Sequence, residues 1–265
     1  MIKNVLKQPL KILKYLYLNK KKRVSLKKIF ELNEYEKFLV HELKIKGYVV
    51  IENFFTKENC KLIIDEINST INKFPKKIWR DEKNSDNRIL GAEKTSDKVL
   101  EYFNNNLIKK IGEAYCGFKL KNVMTMANKV KYFHDNEGSG GGWHKDSYAK
   151  QFKSMLYLND VNKVNGSFQL IKKSNALVNV IKTSIKLNKS YPDTRFTNEE
   201  IKNYFKENDV ETLNGNAGTL IMFDPSLIHR GAPLISSQRY ALTNYYDSIH
   251  NYENQIEKIP YGNRF

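Results

Sequence analysis

Cysteine is nearly missing from this chain: Cys60 and Cys116 are the only two among 265 residues. Without paired spacing they support neither a disulfide framework nor a thiolate zinc site, and they fit a reducing, cytoplasmic setting. Long apolar runs are missing too, and no stretch approaches the ~20 residues that a helix needs to span a bilayer. Arginine is scarce, with seven against thirty-eight lysines inside a formal net charge of +16. Such a charge ordinarily points to nucleic acid or another anionic partner. Here the abundance of Lys, Asn and Ile matches the codons of an AT-rich genome. No zinc finger, RNA-recognition motif or basic-aromatic platform accompanies the charge, so nucleic acid is not an expected partner.

What is present is a globular composition, 40% hydrophobic and 12% aromatic, at a length suited to one well-buried core. The first 30 residues stand apart because they contain no acidic side chain. Lys3, Lys7, Lys11, Lys14 and Lys20 alternate there with Val5, Leu6, Leu10, Leu13, Leu16 and Tyr17, a basic amphipathic pattern interrupted early by Pro9. Such a helix can lie on an anionic membrane surface, or it can pack on the body of the protein. Lysines at 11 and 14 break the apolar region that a signal peptide would need. The expected organisation is a basic N-terminal extension over 1–43 and one domain over 44–265, the protein being cytoplasmic and peripheral at the inner face of a membrane.

From residue 47 the pattern becomes that of an ordered domain. Tyr48–Phe55 is β-prone, Thr56 is a candidate N-cap, and Cys60, Ile63, Ile64, Ile67, Ile71 and Phe74 recur at helical spacing. A second helix is predicted over 98–115, capped by Asp97, with Leu100, Phe103, Leu107 and Ile111 on one stripe and Gly117 as its stop. Residues 75–96 between them show no clear period. Strand-like segments follow at 119–133, 141–146, 153–160, 166–171, 218–223 and 239–247, the spacing of a jelly roll. A long insertion over 174–214 carries a capping box at Thr197 and Glu200. The fold class is therefore mainly β with flanking helices.

The chemistry concentrates in GGGWHKDS at 140–147. If 143–147 is extended, His144 and Asp146 point to one face, and Trp143 points to the other. His229, at the end of a later apolar run, can join them from a neighbouring strand. Two histidines and a carboxylate are the donor set of a facial-triad iron site, which leaves three coordination positions for a bidentate co-substrate and dioxygen. The glycines before the triad do not open a helix, so a phosphate loop is disfavoured. Arg239 follows His229 by ten residues and shares a strand face with Ala241, Thr243 and Tyr245. An inward guanidinium calls for an anion, and a dicarboxylate chelating iron at one end and meeting Arg239 at the other accounts for the set. His41, His134 and His250 fall in no ligand spacing, although His134 could approach the site from an adjacent strand.

The order WHKDS, NGSFQLI (165–171), FDPSLIHRG and SQRYAL, preceded by KGYVVIENFFTKENCKLIIDEI (46–67), resembles the phytanoyl-CoA dioxygenase family of Fe(II)- and 2-oxoglutarate-dependent oxygenases over residues 44–248. That resemblance implies a double-stranded β-helix, cupin-like, with His144, Asp146 and His229 as iron ligands and Arg239 on the distal 2-oxoglutarate carboxylate. Asn128 and Lys131 are candidates for a further polar contact to 2-oxoglutarate, Ser237 for a contact to its distal carboxylate, and Tyr157 for a wall of its pocket. One departure is visible: many members have a Pro-Gly-Ser-His turn where this chain has Lys172-Lys173-Ser174-Asn175. Halogenating relatives carry a small residue at the carboxylate position, so Asp146 implies hydroxylation or another C–H oxidation, with O₂ consumed and succinate formed. The expected substrate is a small or conjugated metabolite, anionic or membrane-proximal. The alternatives are a non-catalytic barrel for an anionic ligand or glycolipid, and a nucleic-acid-directed oxygenase.

Overall fold

The segment LIMF at 220–223 is apolar at every position rather than at every second one, which is the mark of a strand covered on both faces. The computed structural model describes residues 7–21, 31–248 and 265 and shows what covers it. A large antiparallel sheet is formed by β1 (Tyr48–Ile51), β2 (Trp79–Arg80), β3 (Asp86–Leu90), β4 (Leu120–Lys131), β6 (Lys153–Tyr157), β10 (Leu220–Phe223) and β12 (Gln238–Ser248), in the order β1-β10-β6-β12-β4-β3-β2. A small one holds β5 (Trp143–His144), β7 (Phe168–Ile171), β8 (Arg195–Phe196), β9 (Val210–Leu213) and β11 (His229–Gly231), in the order β8-β5-β11-β7-β9. From β4 to β7, and again from β9 to β12, successive strands alternate between the sheets, as in a jelly roll.

Register decides which side chains face the space between the sheets. Leu220, Leu156 and Leu242 are aligned across β10, β6 and β12, and Ile221, Met155 and Thr243 form the next row. The leucine row packs outward on helices α2 (Glu34–Lys46), α3 (Lys57–Lys73), α4 (Asp97–Phe103) and α5 (Asn106–Cys116), in one core with Leu43, Ile63, Tyr102 and Ile111. The second row faces inward, where Met155, Ile221 and Phe223 meet Phe168, Leu170 and Leu213 of the small sheet. Cys60 lies fully buried in the outer core.

Helix ends follow local chemistry. The Asn33 side chain accepts from Glu36 N–H while Glu36 answers at Asn33 N–H, and the Thr56 side chain accepts from Asn59 N–H. Gly117 ends α5 in the left-handed conformation, as predicted. The helix expected over 98–115 is two: the Asn105 side chain accepts from Ile108 N–H and restarts the chain as α5, and Ser96 rather than Asp97 caps α4. The strand expected over 141–146 shrinks to β5, and 75–96 contributes β2 and β3 to the large sheet. Asp86, Asn87 and Arg88 give β3 no hydrophobic period, so its strand character was hidden.

Within 174–214 lie α6 (Leu177–Lys186), β8, α7 (Asn198–Tyr204) and β9. The capping box of Thr197 and Glu200 opens α7. The first described helix, α1 (Lys7–Lys21), packs against α6, with Ile12, Val180 and Tyr148 in one buried cluster. Among the described residues, no helix is long and apolar enough to cross a membrane.

Candidate active site

β5 and β11 lie side by side with His144 paired to His229. Trp143, the neighbour of His144, faces away into a cluster with Ile171, Phe196 and Ile228, as alternation predicts. The Nδ1 of His144 lies 2.9 Å from the carbonyl oxygen of Gly142, and that of His229 lies 2.9 Å from the carbonyl oxygen of Leu227. A carbonyl can only accept, so each Nδ1 donates and each Nε2 keeps its lone pair, the tautomer that binds metal. The glycine-rich loop permits this approach: at Gly140, φ +91°, an added Cβ would sit 2.7 Å from Cε1 of His144.

Asp146 reaches the histidines from beyond the end of β5, not through strand alternation as expected. Its N–H donates to the carbonyl oxygen of Pro225 at 3.0 Å, and its Oδ1 lies 3.5 Å from His144 Nε2 and 3.8 Å from His229 Nε2. One ligand atom from each of the three lies within 4.8 Å of the others, so the group could hold a metal ion. Burial pushes the Asp146 carboxyl up, but the Lys153 ammonium and both imidazoles hold it well below the usual carboxylate range. Burial, with His144 nearby, pushes His229 down to about 3, which keeps it neutral and able to ligate.

The other oxygen of Asp146, Oδ2, is ion-paired with Lys153, whose ammonium also lies 3.8 Å from the centre of the Tyr245 ring. Lys145, between the two ligands in sequence, turns away and donates to the carbonyl oxygens of Ser174 at 2.8 Å and Ser226 at 2.6 Å. It ties the ligand loop to two others. Ser174 also accepts from Ile228 N–H at 2.7 Å, so the Lys-Lys-Ser-Asn turn fastens the segment leading to His229. Sequence reasoning missed both lysines. Lys153 carried a signal, since it alternates with Met155 and Tyr157 on the inward face of β6.

At the other end of the site, Arg239, Val130 and Asp86 form one row across β12, β4 and β3. Arg239 is 3% exposed. Its Nη1 donates to the carbonyl oxygen of Gly166, whereas its buried Nε has no acceptor in the protein. Arg88 differs: Asp86 Oδ2 accepts from its Nε at 3.0 Å and its Nη2 at 2.6 Å. Arg239, the three metal-competent donors, Asn128 and Lys153 line one cavity of about 1100 Å³. A buried guanidinium with an unmet donor at one end, and a His-Asp-His group at the other, fit a metal-chelating dicarboxylate.

The remaining candidates divide. Asn128 is buried, lines the cavity, and donates to Ser139 Oγ at 3.4 Å. Tyr157 is not part of the lining; its hydroxyl donates to the Leu213 carbonyl and accepts from Phe168 N–H, both at 2.9 Å, which pins the small sheet to the large one. Lys131 is exposed at a register position one off the inward row. Ser237 is exposed with φ 66°, so strand alternation does not extend back to it from Arg239. His134 is exposed beside Asp135, and His41 is exposed as well. His250 lies outside the described residues.

The profile of the family described as Phytanoyl-CoA dioxygenase (PhyH) matches residues 43–241. The chain belongs to that family. The part matched to PhyH includes His144, Asp146, His229 and Arg239 and excludes α1. No curated protein matches the sequence. Among solved structures, the chain is similar to the epimerase SnoN in complex with Fe³⁺, alpha-ketoglutarate and nogalamycin RO, with TM-score 0.58 and 15% identity over 81% of this chain and 84% of that one. HygX from Streptomyces hygroscopicus, with nickel, 2-oxoglutarate and hygromycin B bound, gives TM-score 0.55 and 12% identity over 82% and 88%. The alpha-ketoglutarate-dependent carbocyclase SnoK gives 0.56 and 14% over 82% and 84%. At these identities the PhyH chain and its neighbours share a fold.

Proposed function

We propose that this PhyH-family chain is an Fe(II)- and 2-oxoglutarate-dependent oxygenase that hydroxylates, or otherwise oxidises, a C–H bond of a small or conjugated metabolite. The observation that carries this reading is the buried Nε of Arg239, without an acceptor, in the same cavity as His144, Asp146 and His229. The three donors would hold the iron, and Arg239 would receive the distal carboxylate of 2-oxoglutarate. When bound, iron supplies oxygen activation coupled to decarboxylation of the co-substrate to succinate. The protein supplies position. Carbonyl oxygens of Gly142 and Leu227 fix the imidazole tautomers, and Lys153 occupies the second oxygen of Asp146, leaving the first for the metal. Met155, Phe168 and Phe223 form the apolar wall beside them. Aspartate at 146 completes three protein ligands, which supports oxidation rather than halogenation.

The cavity is larger than 2-oxoglutarate needs, leaving space for a substrate. Lys83 and Arg195 share its lining with Asp81, Glu82, Asp135 and Glu137, so the lysine excess of the chain lies elsewhere. The acid-free α1 supports the membrane-proximal part of the reading, a peripheral place on an anionic bilayer.

Anaerobic addition of Fe(II) and 2-oxoglutarate should give a visible metal-to-ligand charge-transfer band that His144→Ala abolishes. A folded protein that gives no band would overturn the assignment. Succinate formation then reports which metabolite in a screened set is oxidised.

A further inference from the structure

Two helices sit against the ligand loop from outside the two sheets. Tyr148, two residues past Asp146, is buried between Ile12 of α1 and Val180 of α6, with Tyr15 and Leu16 packed on the cluster. The Tyr15 hydroxyl is hydrogen-bonded to Ser147 Oγ at 2.8 Å, and Gln8 is bonded to Asn188 and Ser190 just past α6. This contact uses one face of each helix.

One apolar face suffices to dock a helix on a protein, yet each of these has a second. On α1, Leu10, Leu13 and Leu18 are exposed, with exposed Lys7, Lys11, Lys14 and Lys20 among them. On α6, Val178 and Ile185 lie seven residues apart on the side away from Val180, and both are exposed beside Lys182 and Lys186. Leu177 is also exposed. Neither helix contains an acidic residue, although the chain has 29 Asp and Glu. Apolar side chains left in water are unfavourable, and two such stripes on adjoining helices call for an occupant. The lysines select it. Long cationic side chains around leucine, valine and isoleucine complement a layer with anionic head groups above an apolar interior.

We infer that α1 and α6 form one composite docking surface for an anionic bilayer, built onto the loop that carries Asp146. The inference rests on the membrane-proximal part of the proposed function, not on its chemistry. It differs from a basic tail acting alone, because α6, within the long connection after β7, supplies half of the apolar contact.

Flotation of the full-length protein with vesicles of phosphatidylcholine, alone or with about one-third phosphatidylglycerol, tests this. Binding should require the anionic lipid. The double variant Val178→Asp/Ile185→Asp, on exposed positions away from the cavity, should weaken binding by about tenfold or more. Lys7→Glu/Lys11→Glu/Lys14→Glu should weaken it at least as much. Both variants should keep the thermal transition of the parent and, with Fe(II) and 2-oxoglutarate, its charge-transfer band. No binding to anionic vesicles, equal binding to neutral ones, or full binding by the α6 variant would overturn the inference. So would a dimer in light scattering that the α6 variant abolishes, which would assign the surface to a second copy. Because the band is read without vesicles, failure of docking and failure of the oxygenase reading are separate results.

Discussion

Two arginines face the cavity from the large sheet, and their surroundings differ. Arg88 on β3 has its charge met within the chain by Asp86, whereas Arg239 on β12 is more deeply buried and ends on one carbonyl oxygen. A matched buried cation holds structure together; one left unmatched is poised for something that is not part of the chain. The largest expected effect separates the two. Arg88→Met strands the Asp86 carboxylate, which is 7% exposed, and should lower unfolding stability by about 3 kcal/mol in urea denaturation. Arg239→Met removes an uncompensated cation and should leave the ligand-free stability unchanged or higher. Its cost should appear in binding, as a loss of about a hundredfold in 2-oxoglutarate affinity by charge-transfer titration. The reverse pattern would assign the anion to Arg88.

The next effect concerns the opposite end of the cavity. Lys153→Met frees Asp146 Oδ2 and should weaken Co(II) or Fe(II) binding by roughly tenfold or more, the range seen when an outer partner of a metal ligand is removed. Lys153→Arg should restore part of it. Unchanged metal affinity in Lys153→Met would reduce this lysine to a group lining the substrate space. Gly140→Ala comes third. It places a methyl group against His144 in a backbone conformation that favours glycine, and should cost about 1–2 kcal/mol of stability together with some metal affinity. An unaltered metal titration would mean that the loop yields without moving the imidazole.

The two ends also differ in how far they could be read from sequence. The arginine end is built by register. β12 and β4 run for 11 and 12 residues, long enough for a period of two to show, and alternation placed Arg239 inward; Asn128 and Lys131 were chosen for their polar side chains alone, and of the two only Asn128 falls on the inward row. The metal end is built by loops. Its residue types and order were legible, but β5 and β11 are two and three residues long, so no periodicity could reveal that Asp146 arrives from beyond a strand. Lys145 and Ser174 are joined through a carbonyl, a contact that side-chain pattern does not record. The helical stripe over 98–115 continued through Asn104 and Asn105, so the period concealed the capping contact that splits the helix. Polar β3 was hidden for the opposite reason, having no apolar alternation to find.

The smallest effects test where alternation stops. Ser237 lies two residues before Arg239, and a strand would have put both on one face; instead it adopts φ 66° and is exposed. Ser237→Ala should therefore leave 2-oxoglutarate affinity within about twofold of the parent, an energy difference below the usual scatter of surface substitutions. Asn128 sits in the lining and is linked through Ser139 to Asp86, with the Ser139 hydroxyl donating at 3.1 Å. Asn128→Ala should weaken the co-substrate by a few-fold, about the worth of one neutral hydrogen bond. If Ser237→Ala weakened it more than Asn128→Ala, the turn before β12 would have to close onto the bound co-substrate, bringing Ser237 to the face that strand alternation assigned to it.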